Sequence, residues 1–279
     1  MNITKIIIPA AGIGSRFLPI TKSIPKEMLP LSNKPAIEHI VQEAFDANLI
    51  NVGIILSPEK NVIKEYFEEN THLDKILAEK NQQFRVETVN NLIKNIDFSY
   101  YYQYKPAGVA DALMQAKQLI NPNEFFAVSY PDDIIFGKNP EILNLMHIAR
   151  SMKGMVIGVQ EVPVEQISSY GVISIEKQIN DTCYKIASLV EKPKVQDAPS
   201  NLAIVGRYVY HYDLFNFIPQ TPLGNSQEIV LPETINLMIQ HGYPVFAVKI
   251  QGQRFDTGTP QGWLNYIIHH NNLEQHRQL

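Results

Sequence analysis

Short apolar runs alternate with segments of helical spacing through the first half of the chain. The runs 5–10, 52–56 and 125–130 are rich in apolar residues, and each is followed closely by a glycine or a proline. Such runs are typical of buried parallel strands that enter loops. Segment 35–48 places its apolar residues on one helical face, and 111–119 is predicted as another helix. Strands that alternate with helices predict an α/β fold, with a Rossmann-like, mixed but mainly parallel sheet flanked by helices.

The second half of the chain is richer in strands than the first. Its predicted strands share runs of apolar and β-branched residues, at 155–162, 171–176, 184–191, 202–210 and 245–250. Helices are predicted at 228–241 and 260–275. No repeat, low-complexity tract or linker divides the chain. We therefore predict a single domain, 1–279, with halves at roughly 1–135 and 136–279.

Composition and charge exclude several functional classes. Apolar residues make up 45% of the chain and charged residues 19%, the balance of an ordinary soluble protein. The net charge of −4 argues against binding nucleic acid or an anionic membrane through bulk electrostatics. The single cysteine, Cys183, cannot form an internal disulfide and fits a reducing compartment. No apolar run approaches the about 18 residues of a membrane span, and no signal-peptide pattern opens the chain, so we expect a cytoplasmic location.

A glycine-containing loop follows the first predicted strand and reads AAGIGSR over 10–16. Glycine lets backbone N–H groups approach phosphate oxygens, and arginine adds a forked cation. The pattern alone fits a phosphate-binding loop and a plain tight turn equally well. The dinucleotide-binding version requires G-x-G-x-x-G/A opening a helix, but Phe17 stands at the sixth position and a proline-bearing loop follows. A nicotinamide dinucleotide site is therefore excluded.

A lysine between two prolines follows in 25–30, which reads PKEMLP. The prolines fix an extended loop and hold Lys26 in a defined direction, where its ammonium can meet a phosphate. A solvated surface lysine is the alternative. Its spacing of ten residues from Arg16 favours the functional interpretation.

Segment 10–35, AAGIGSRFLPITKSIPKEMLPLSNKP, closely resembles the signature of bacterial UTP–glucose-1-phosphate uridylyltransferases, which belong to the sugar-nucleotide pyrophosphorylases. Later motifs extend the resemblance along nearly the whole chain. It implies a Mg²⁺-dependent enzyme that joins UTP to glucose 1-phosphate, and a homodimer or homotetramer with no nucleic-acid or membrane partner. It also implies that 1–135 binds nucleotide, whereas 136–279 adds a strand-rich sugar-binding lobe and a C-terminal helix.

The same resemblance assigns the nucleotide contacts. Arg16 would hold the β and γ phosphates of UTP, and Lys26 the phosphates near the reacting centre. The other nucleotide-binding residues would be Ala10, Ala11, Gly12, Gly14, Gln103 and Gly108. The glutamine amide would pair with the pyrimidine edge. Residues 108–113, GVADAL, depart from the usual G-L-G-H-A and look more like the thymidylyltransferase pattern G-L-A-x-A, so dTTP is an alternative nucleotide.

A pair of carboxylates, Asp132 and Asp133, follows a predicted strand. The carboxyl edge of a parallel sheet is where ligands bind in such folds, although an Asp-Asp turn is the alternative. By resemblance, Asp132 would be catalytic and would bind Mg²⁺, with Asp256 of a D-x-G motif as the second metal ligand. Asp133 would contact the sugar or a metal-bound water.

A glutamate and a lysine in 191–193, which reads EKP, are similar to the family's sugar-binding motif. Glu191 would bind sugar hydroxyls and Lys192 the sugar phosphate. Gly171 and Val205 match segments that line the sugar pocket. The residues expected to be catalytic are therefore Arg16, Lys26, Asp132 and Lys192.

The reaction implied is an in-line displacement that forms UDP-glucose and pyrophosphate. A thymidylyltransferase acting on glucose 1-phosphate is the alternative within the class. A catalytically weak homologue that only binds nucleotide sugars is the alternative outside it. Every cation and carboxylate expected for catalysis is present, which argues against the weak homologue.

Overall fold

The computed structural model describes residues 2–224 and 227–277. Its strands are β1 (Lys5–Pro9), β2 (Pro30–Leu31), β3 (Lys34–Pro35), β4 (Asn51–Leu56), β5 (Asp97–Tyr102), β6 (Phe125–Ser129), β7 (Asp133–Phe136), β8 (Met155–Glu161), β9 (Val172–Gln178), β10 (Cys183–Val190), β11 (Leu202–His211), β12 (Val245–Lys249) and β13 (Gln253–Asp256). Its α-helices are α1 (Ala36–Asp46), α2 (Asn61–Tyr66), α3 (Thr71–Glu79), α4 (Glu87–Asn95), α5 (Gly108–Gln115), α6 (Glu141–Met152), α7 (Leu214–Phe217), α8 (Leu231–Gln240) and α9 (Pro260–Arg277).

A nine-stranded sheet with the order β5-β4-β1-β6-β11-β8-β12-β10-β9 forms the centre of the protein. The first four strands run parallel in the order of a Rossmann half. β11 and β10 run antiparallel to their neighbours, whereas β8 and β12, which pair with each other, are mutually parallel. The mixed, mainly parallel sheet expected from the sequence is confirmed. The pairing of β11 with β6 joins the second half of the chain to the first.

Helices cover both faces of this sheet because its strands are apolar on both sides. In β1, Ile6 and Ile8 belong to the apolar cluster beneath α1 and α6. Ile7, between them, belongs to the opposite cluster, with α5 and α8. Complete burial of one such side chain contributes about 1.5–3 kcal/mol. The sheet is therefore stabilised from both faces, and its loops at the carboxyl ends are left to carry the site.

Two short strands and several boundaries differ from the sequence-based prediction. β7 and β13 pair antiparallel, with Asp133 opposite Asp256. At four residues each, they are too short to show a periodic pattern. The helix predicted at 228–241 begins only at Leu231, and the one predicted at 111–119 begins earlier, at Gly108. Within the described ranges, no helix combines the length and apolar character needed to cross a membrane.

Candidate active site

The glycine loop leaves β1 and turns sharply at Gly14. This residue has a φ of +72°, a left-handed conformation that favours glycine, and an added Cβ would lie 3.1 Å from Thr21 Cγ2. Thr21 Oγ1 also donates a 2.8 Å hydrogen bond to the Gly14 carbonyl. Arg16 follows in a single 3-10 turn. Gly12 instead borders open space, because an added Cβ would meet no atom of the described residues within 4 Å.

A buried lysine that the sequence analysis missed holds this loop in place. Lys60 Nζ donates hydrogen bonds to the carbonyls of Ala10 (2.8 Å) and Gly12 (2.5 Å). Its third bond, of 2.8 Å, goes to Oε2 of Glu27, a side chain with 1% exposure. Burial lowers the pKa of Lys60, opposed by the charge of Glu27. The lysine therefore connects the glycine loop to the PKEMLP segment, although it lies far from both in sequence.

An ion pair joins Lys26 to Asp132 across the two signature motifs. Burial alone would lower the pKa of Lys26, but the charges of Asp132 and Glu27 outweigh it and raise that pKa. Burial likewise opposes ionisation of Asp132, yet Lys26 holds the pKa of this carboxyl below its usual value. Both groups are therefore charged at neutral pH, as the sequence-based roles require.

The two carboxylates predicted as metal ligands lie next to each other. A Cβ added to Gly258 would lie 2.5 Å from Asp132 Oδ2 and 3.1 Å from Asp256 Oδ1, so both carboxylates reach this glycine. The N–H of Gly258 donates a 3.2 Å hydrogen bond to Asp256 Oδ1. Burial raises the pKa of Asp256, and the charges of Asp133 and Asp132 raise it further, against Arg254. This crowding of hard oxygen ligands fits a divalent cation such as Mg²⁺, which would relieve the repulsion.

Asp133 is occupied by protein groups. Its Oδ2 accepts a 2.6 Å hydrogen bond from the N–H of Gly206, and its Oδ1 accepts one from Arg254 Nε. The Arg254 guanidinium also lies over the ring of Tyr170, 5.1 Å from its centroid. Asp133 borders the cavity described next, but both of its oxygens already have donors. Its direct contact with sugar stays a prediction, and Arg254 is a site residue that no sequence motif indicated.

A cavity of about 460 Å³ collects residues from motifs that are far apart in the sequence. Its wall includes the predicted residues Arg16, Gly108, Asp132, Asp133, Gly171, Glu191, Lys192 and Asp256. Aromatic side chains from β11 and the loop after β6 form another part of the wall, including Tyr130 and Tyr208. Among the described residues, no group of three or more His, Cys, Asp and Glu side chains forms a ready-made metal cage. The protein would thus supply two carboxylates as ligands to a cation, and substrate oxygens would complete the coordination.

The predicted sugar-binding residues Gly171 and Glu191 meet at one side of this cavity. A Cβ added to Gly171 would lie 3.0 Å from Glu191 Oε2. Lys192 has a left-handed φ of +45°, and its N–H donates a 3.1 Å hydrogen bond to the Tyr170 carbonyl. Its Nζ lies 3.3 Å from Glu191 Oε1, and 57% of its side chain is exposed. An unfavourable backbone conformation held at a cavity edge is typical of a functional residue.

The side chain of Val205 does not enter this cavity. It is 1% exposed, and its Cγ2 lies 2.8 Å from the Cβ position of Gly158 on β8. Its neighbours Ile204 and Gly206 line the cavity instead. Tyr208 and Tyr210 line it as well, so alternate residues of β11 face the cavity and Val205 lies on the opposite face. Only the backbone of Val205 can therefore contact a ligand in this cavity, and that role stays a prediction.

Gln103 lies at a second cavity, of about 370 Å³, bordered also by Ala11, Lys60 and Tyr104. Its Nε2 donates to the Gly108 carbonyl at 3.0 Å and to Asp111 Oδ2 at 2.8 Å. The structure thus brings the glutamine and the glycine of the predicted base-reading segment into direct contact. Asp111 belongs to the segment that departs from the family pattern, and its contact with Gln103 could not be inferred from the sequence.

Comparisons with known proteins identify relatives that match nearly the whole chain. The sequence profile described as "Nucleotidyl transferase" matches residues 5–272. The chain is 39% identical over 265 residues to a UTP–glucose-1-phosphate uridylyltransferase from Mycoplasma pneumoniae, covering 94% of this chain and 90% of that protein. It is also similar to a crystal structure of UDP-glucose pyrophosphorylase complexed with UDP-glucose, with a TM-score of 0.88, 33% identity and coverage of 97% and 99%. A UTP-bound enzyme of the same kind from Acinetobacter baumannii matches with a TM-score of 0.88 and 32% identity, over 96% of this chain and 93% of the other.

Proposed function

The chain belongs to the nucleotidyl transferase family, and we propose that it transfers the uridylyl group of UTP to glucose 1-phosphate, forming UDP-glucose and pyrophosphate. The observation that carries the proposal is that Arg16, Asp132 and Lys192, from three distant motifs, line one cavity. Relatives that cover nearly the whole chain carry this activity in their names. Solved relatives hold UDP-glucose or UTP.

The chemistry that these residues support is a direct in-line displacement. A phosphate oxygen of glucose 1-phosphate attacks the α-phosphorus of UTP, and the bond from that phosphorus to the β-phosphate oxygen breaks. Pyrophosphate leaves with the electron pair. The attacking oxygen is already ionised at neutral pH, so the protein needs no nucleophile of its own. Its contribution is positioning and charge neutralisation.

Cations arranged around the cavity would bring the phosphates together. Arg16 would hold the β and γ phosphates, and Lys192 the phosphate of the sugar. Lys26, now paired with Asp132, would neutralise charge near the α-phosphorus. Without such cations, the repulsion between the phosphate groups of the two substrates would keep them apart.

Mg²⁺ is the proposed cofactor, held by Asp132 and Asp256. The support is that both carboxylates reach Gly258 and that burial and mutual repulsion raise the pKa of Asp256. When bound, the ion would neutralise phosphate charge and favour the departure of pyrophosphate.

Recognition of the sugar is proposed for the part of the cavity lined by Gly171 and Glu191. Glu191 can accept hydrogen bonds from two neighbouring hydroxyls, and the backbone of Gly171 lies beside it. A side chain at Gly171 would occupy the space next to the carboxylate. Asp133 would act through Arg254 and the N–H of Gly206, which it holds in place.

Pyrophosphate release tests the proposal. Purified protein would be assayed with glucose 1-phosphate and Mg²⁺, comparing UTP with dTTP, CTP, ATP and GTP. Strong preference for UTP supports it, whereas preference for dTTP would move the enzyme to the thymidylyltransferases. No turnover by folded protein would favour a nucleotide-sugar-binding homologue. Omission of Mg²⁺ should abolish turnover. Light scattering would test the expected homodimer or homotetramer, and cell fractionation the cytoplasmic location.

A further inference from the structure

We propose that Asp111 is a positioning residue that fixes the orientation of the Gln103 amide and thereby selects pyrimidines carrying an N3–H donor. The inference rests on the proposed function and deepens it, because it names the group that sets nucleotide choice. It begins from the hydrogen bonds of a single side-chain amide.

Gln103 is held in one place by its backbone. The residue follows β5 directly and is 7% exposed, and its N–H donates a 2.8 Å hydrogen bond to the Leu56 carbonyl. The side-chain amide is held in turn by contacts with Gly108 and Asp111, so the remaining choice is which end of the amide, NH₂ or oxygen, faces these two groups. That choice decides whether the site offers a donor or an acceptor to a ligand.

The two partners of the amide settle its orientation. The Gly108 carbonyl and the Asp111 carboxylate, 3.0 Å and 2.8 Å from Nε2, are both acceptors. Neither group has a proton to give to an amide oxygen. Only the NH₂ end can face them, and its two protons match the two acceptors. Asp111 contributes the stronger part of this preference, because hydrogen bonds to a charged group are about twice as strong as neutral ones.

The consequence is that Gln103 presents its oxygen elsewhere. No donor among the residues of the described ranges reaches Oε1, and Gln103 borders the 370 Å³ cavity with Ala11 and Tyr104. Gly108 is the first residue of α5, so its N–H has no partner within the helix, and no acceptor from the described part of the chain takes it. The segment thus offers an acceptor, Oε1, where Gln103 borders the 370 Å³ cavity, and a backbone donor at Gly108, which lines the 460 Å³ cavity.

That pattern matches one kind of pyrimidine edge. Uracil and thymine carry an N3–H donor next to the O4 acceptor, whereas cytosine carries an N3 acceptor next to an amino donor. With the ribose and phosphates holding the base in register, Oε1 complements the N3–H of uracil and thymine and opposes the N3 acceptor of cytosine. The methyl group of thymine lies at C5, outside this edge. The amide orientation therefore separates UTP from CTP but not UTP from dTTP.

A purely structural role for Asp111 makes a different forecast. Its carboxylate lies in the first turn of α5, where a negative charge also stabilises the helix. Loss of that stabilisation would lower the melting temperature and weaken all nucleotides alike. The ratio between nucleotides distinguishes the two roles.

The deciding variant is Asp111→Asn. Asparagine keeps the size of the side chain but can accept from Nε2 or donate to Oε1, so it removes the orientation bias at this position. We would measure kcat/KM for pyrophosphate release with UTP, dTTP and CTP. The ratio of UTP to CTP should fall about tenfold, the effect of one charged hydrogen bond, while the ratio of UTP to dTTP stays unchanged. The control is Asp46→Asn, which alters a similar but exposed Gln–Asp pair on α1, with Gln42 donating to Asp46 at 2.9 Å.

An unchanged UTP to CTP ratio in Asp111→Asn, or an equal fall for all three nucleotides, would overturn the proposal. Asp111→Ala serves as a second variant and should lower the same ratio. If the wild-type protein turns over no nucleotide, the proposed function fails, and calorimetric binding of UTP and CTP to both proteins then tests Asp111 alone. Equal affinity of the wild-type protein for the two nucleotides would also overturn the proposal.

Discussion

Thr257 donates two hydrogen bonds to the carbonyl of Asp132, one from its N–H (2.8 Å) and one from Oγ1 (2.9 Å). The middle residue of the D-x-G motif, which directly follows the predicted metal ligand Asp256, is thereby bonded to the backbone of the other predicted ligand, Asp132. Asp256 and Gly258 flank Thr257, so this contact sets the distance between the two aspartates. The D-x-G motif thus has a positional role in addition to its carboxylate.

Replacing Thr257 with valine should reduce turnover without unfolding the protein. Thr257→Val keeps the shape and the backbone bond but removes the bond from Oγ1, worth about 0.5–1.5 kcal/mol. We expect kcat to fall about two- to tenfold, because Asp256 is held less firmly, and the Mg²⁺ concentration for half-maximal rate to rise. Thr182→Val, in an exposed turn, is the control. Equal kinetics of Thr257→Val and wild type would show that the backbone bond suffices.

Loss of the ion pair at the reacting centre should abolish most of the activity. We expect kcat to fall about 100-fold or more in both Lys26→Ala and Asp132→Asn, since each removes a charge that acts on the phosphates. The matched control is Lys64→Ala, which removes an exposed lysine paired with Glu68. Steady-state pyrophosphate release and circular dichroism would measure rate and fold. Near-normal rates in both variants would remove these residues from the mechanism.

Gly12→Ala should raise the KM for UTP while leaving stability unchanged. The added methyl group meets no described protein atom within 4 Å, so folding does not oppose it. It would instead stand in the space proposed for the nucleotide phosphates, and we expect about a tenfold loss in kcat/KM. Thermal melting with and without UTP provides the readout. An unchanged KM would place the phosphates away from Gly12.

The buried pair of Lys60 and Glu27 should matter for both folding and nucleotide binding. Lys60→Met leaves the Glu27 carboxylate buried without its partner, which costs about 3–5 kcal/mol in the free energy of unfolding. It also frees the carbonyls of Ala10 and Gly12, so KM for UTP should rise. The double variant with Glu27→Gln should regain much of the stability but not the KM. Urea unfolding and steady-state kinetics measure the two effects, and a full recovery of KM would contradict the loop-holding role.

Acid should weaken the surface pair between Lys5 and Glu124. Burial is the largest single effect and opposes ionisation of Glu124, but the hydrogen bonds from Lys5 and Asn121 together outweigh it and lower the pKa of this carboxyl from the ordinary value of 4.5. A lowered folded pKa means that the pair stabilises the protein above pH 4.5 and that this contribution is lost as the pH falls through the folded pKa. The contribution is at most about 1 kcal/mol. Melting temperatures of Glu124→Gln and wild type should therefore differ at pH 7 and converge near pH 3.

The signature motifs allowed much of the site to be predicted from the sequence. Arg16, Lys26 and Asp132 stand in runs where glycine, proline or a strand end restricts the backbone, so local pattern carries information about chemistry. The parallel direction of β1, β4, β5 and β6 agrees with the strand–helix alternation of the sequence. The fold class could be predicted because these local sequence patterns are strong.

Other parts of the site depend on long-range contacts that have no signature in the local sequence. Lys60 lies 50 residues from the carbonyl of Ala10 that it binds, in a polar segment that reads as an ordinary helix start. Arg254 acquires its role only because β13 pairs with β7. The side chain of Val205 lies on the face of β11 away from the cavity, because alternate residues of this strand, Ile204 and Gly206 among them, line the cavity. Long-range pairing, and which face of a strand meets a cavity, are the information that periodicity cannot supply.

The two-stranded ribbon of β7 and β13 limits how this chain can vary. Neighbouring residues of a strand point to opposite faces and lie about 3.3 Å apart. One residue inserted or deleted between Gly252 and Asp256 would therefore turn Asp256 away from Asp132, however well the ribbon itself survived. Substitutions in that stretch can be absorbed, but changes in its length cannot. Homologues that keep the activity should accordingly differ there in residue type but not in the number of residues. Any insertion should fall outside the ribbon.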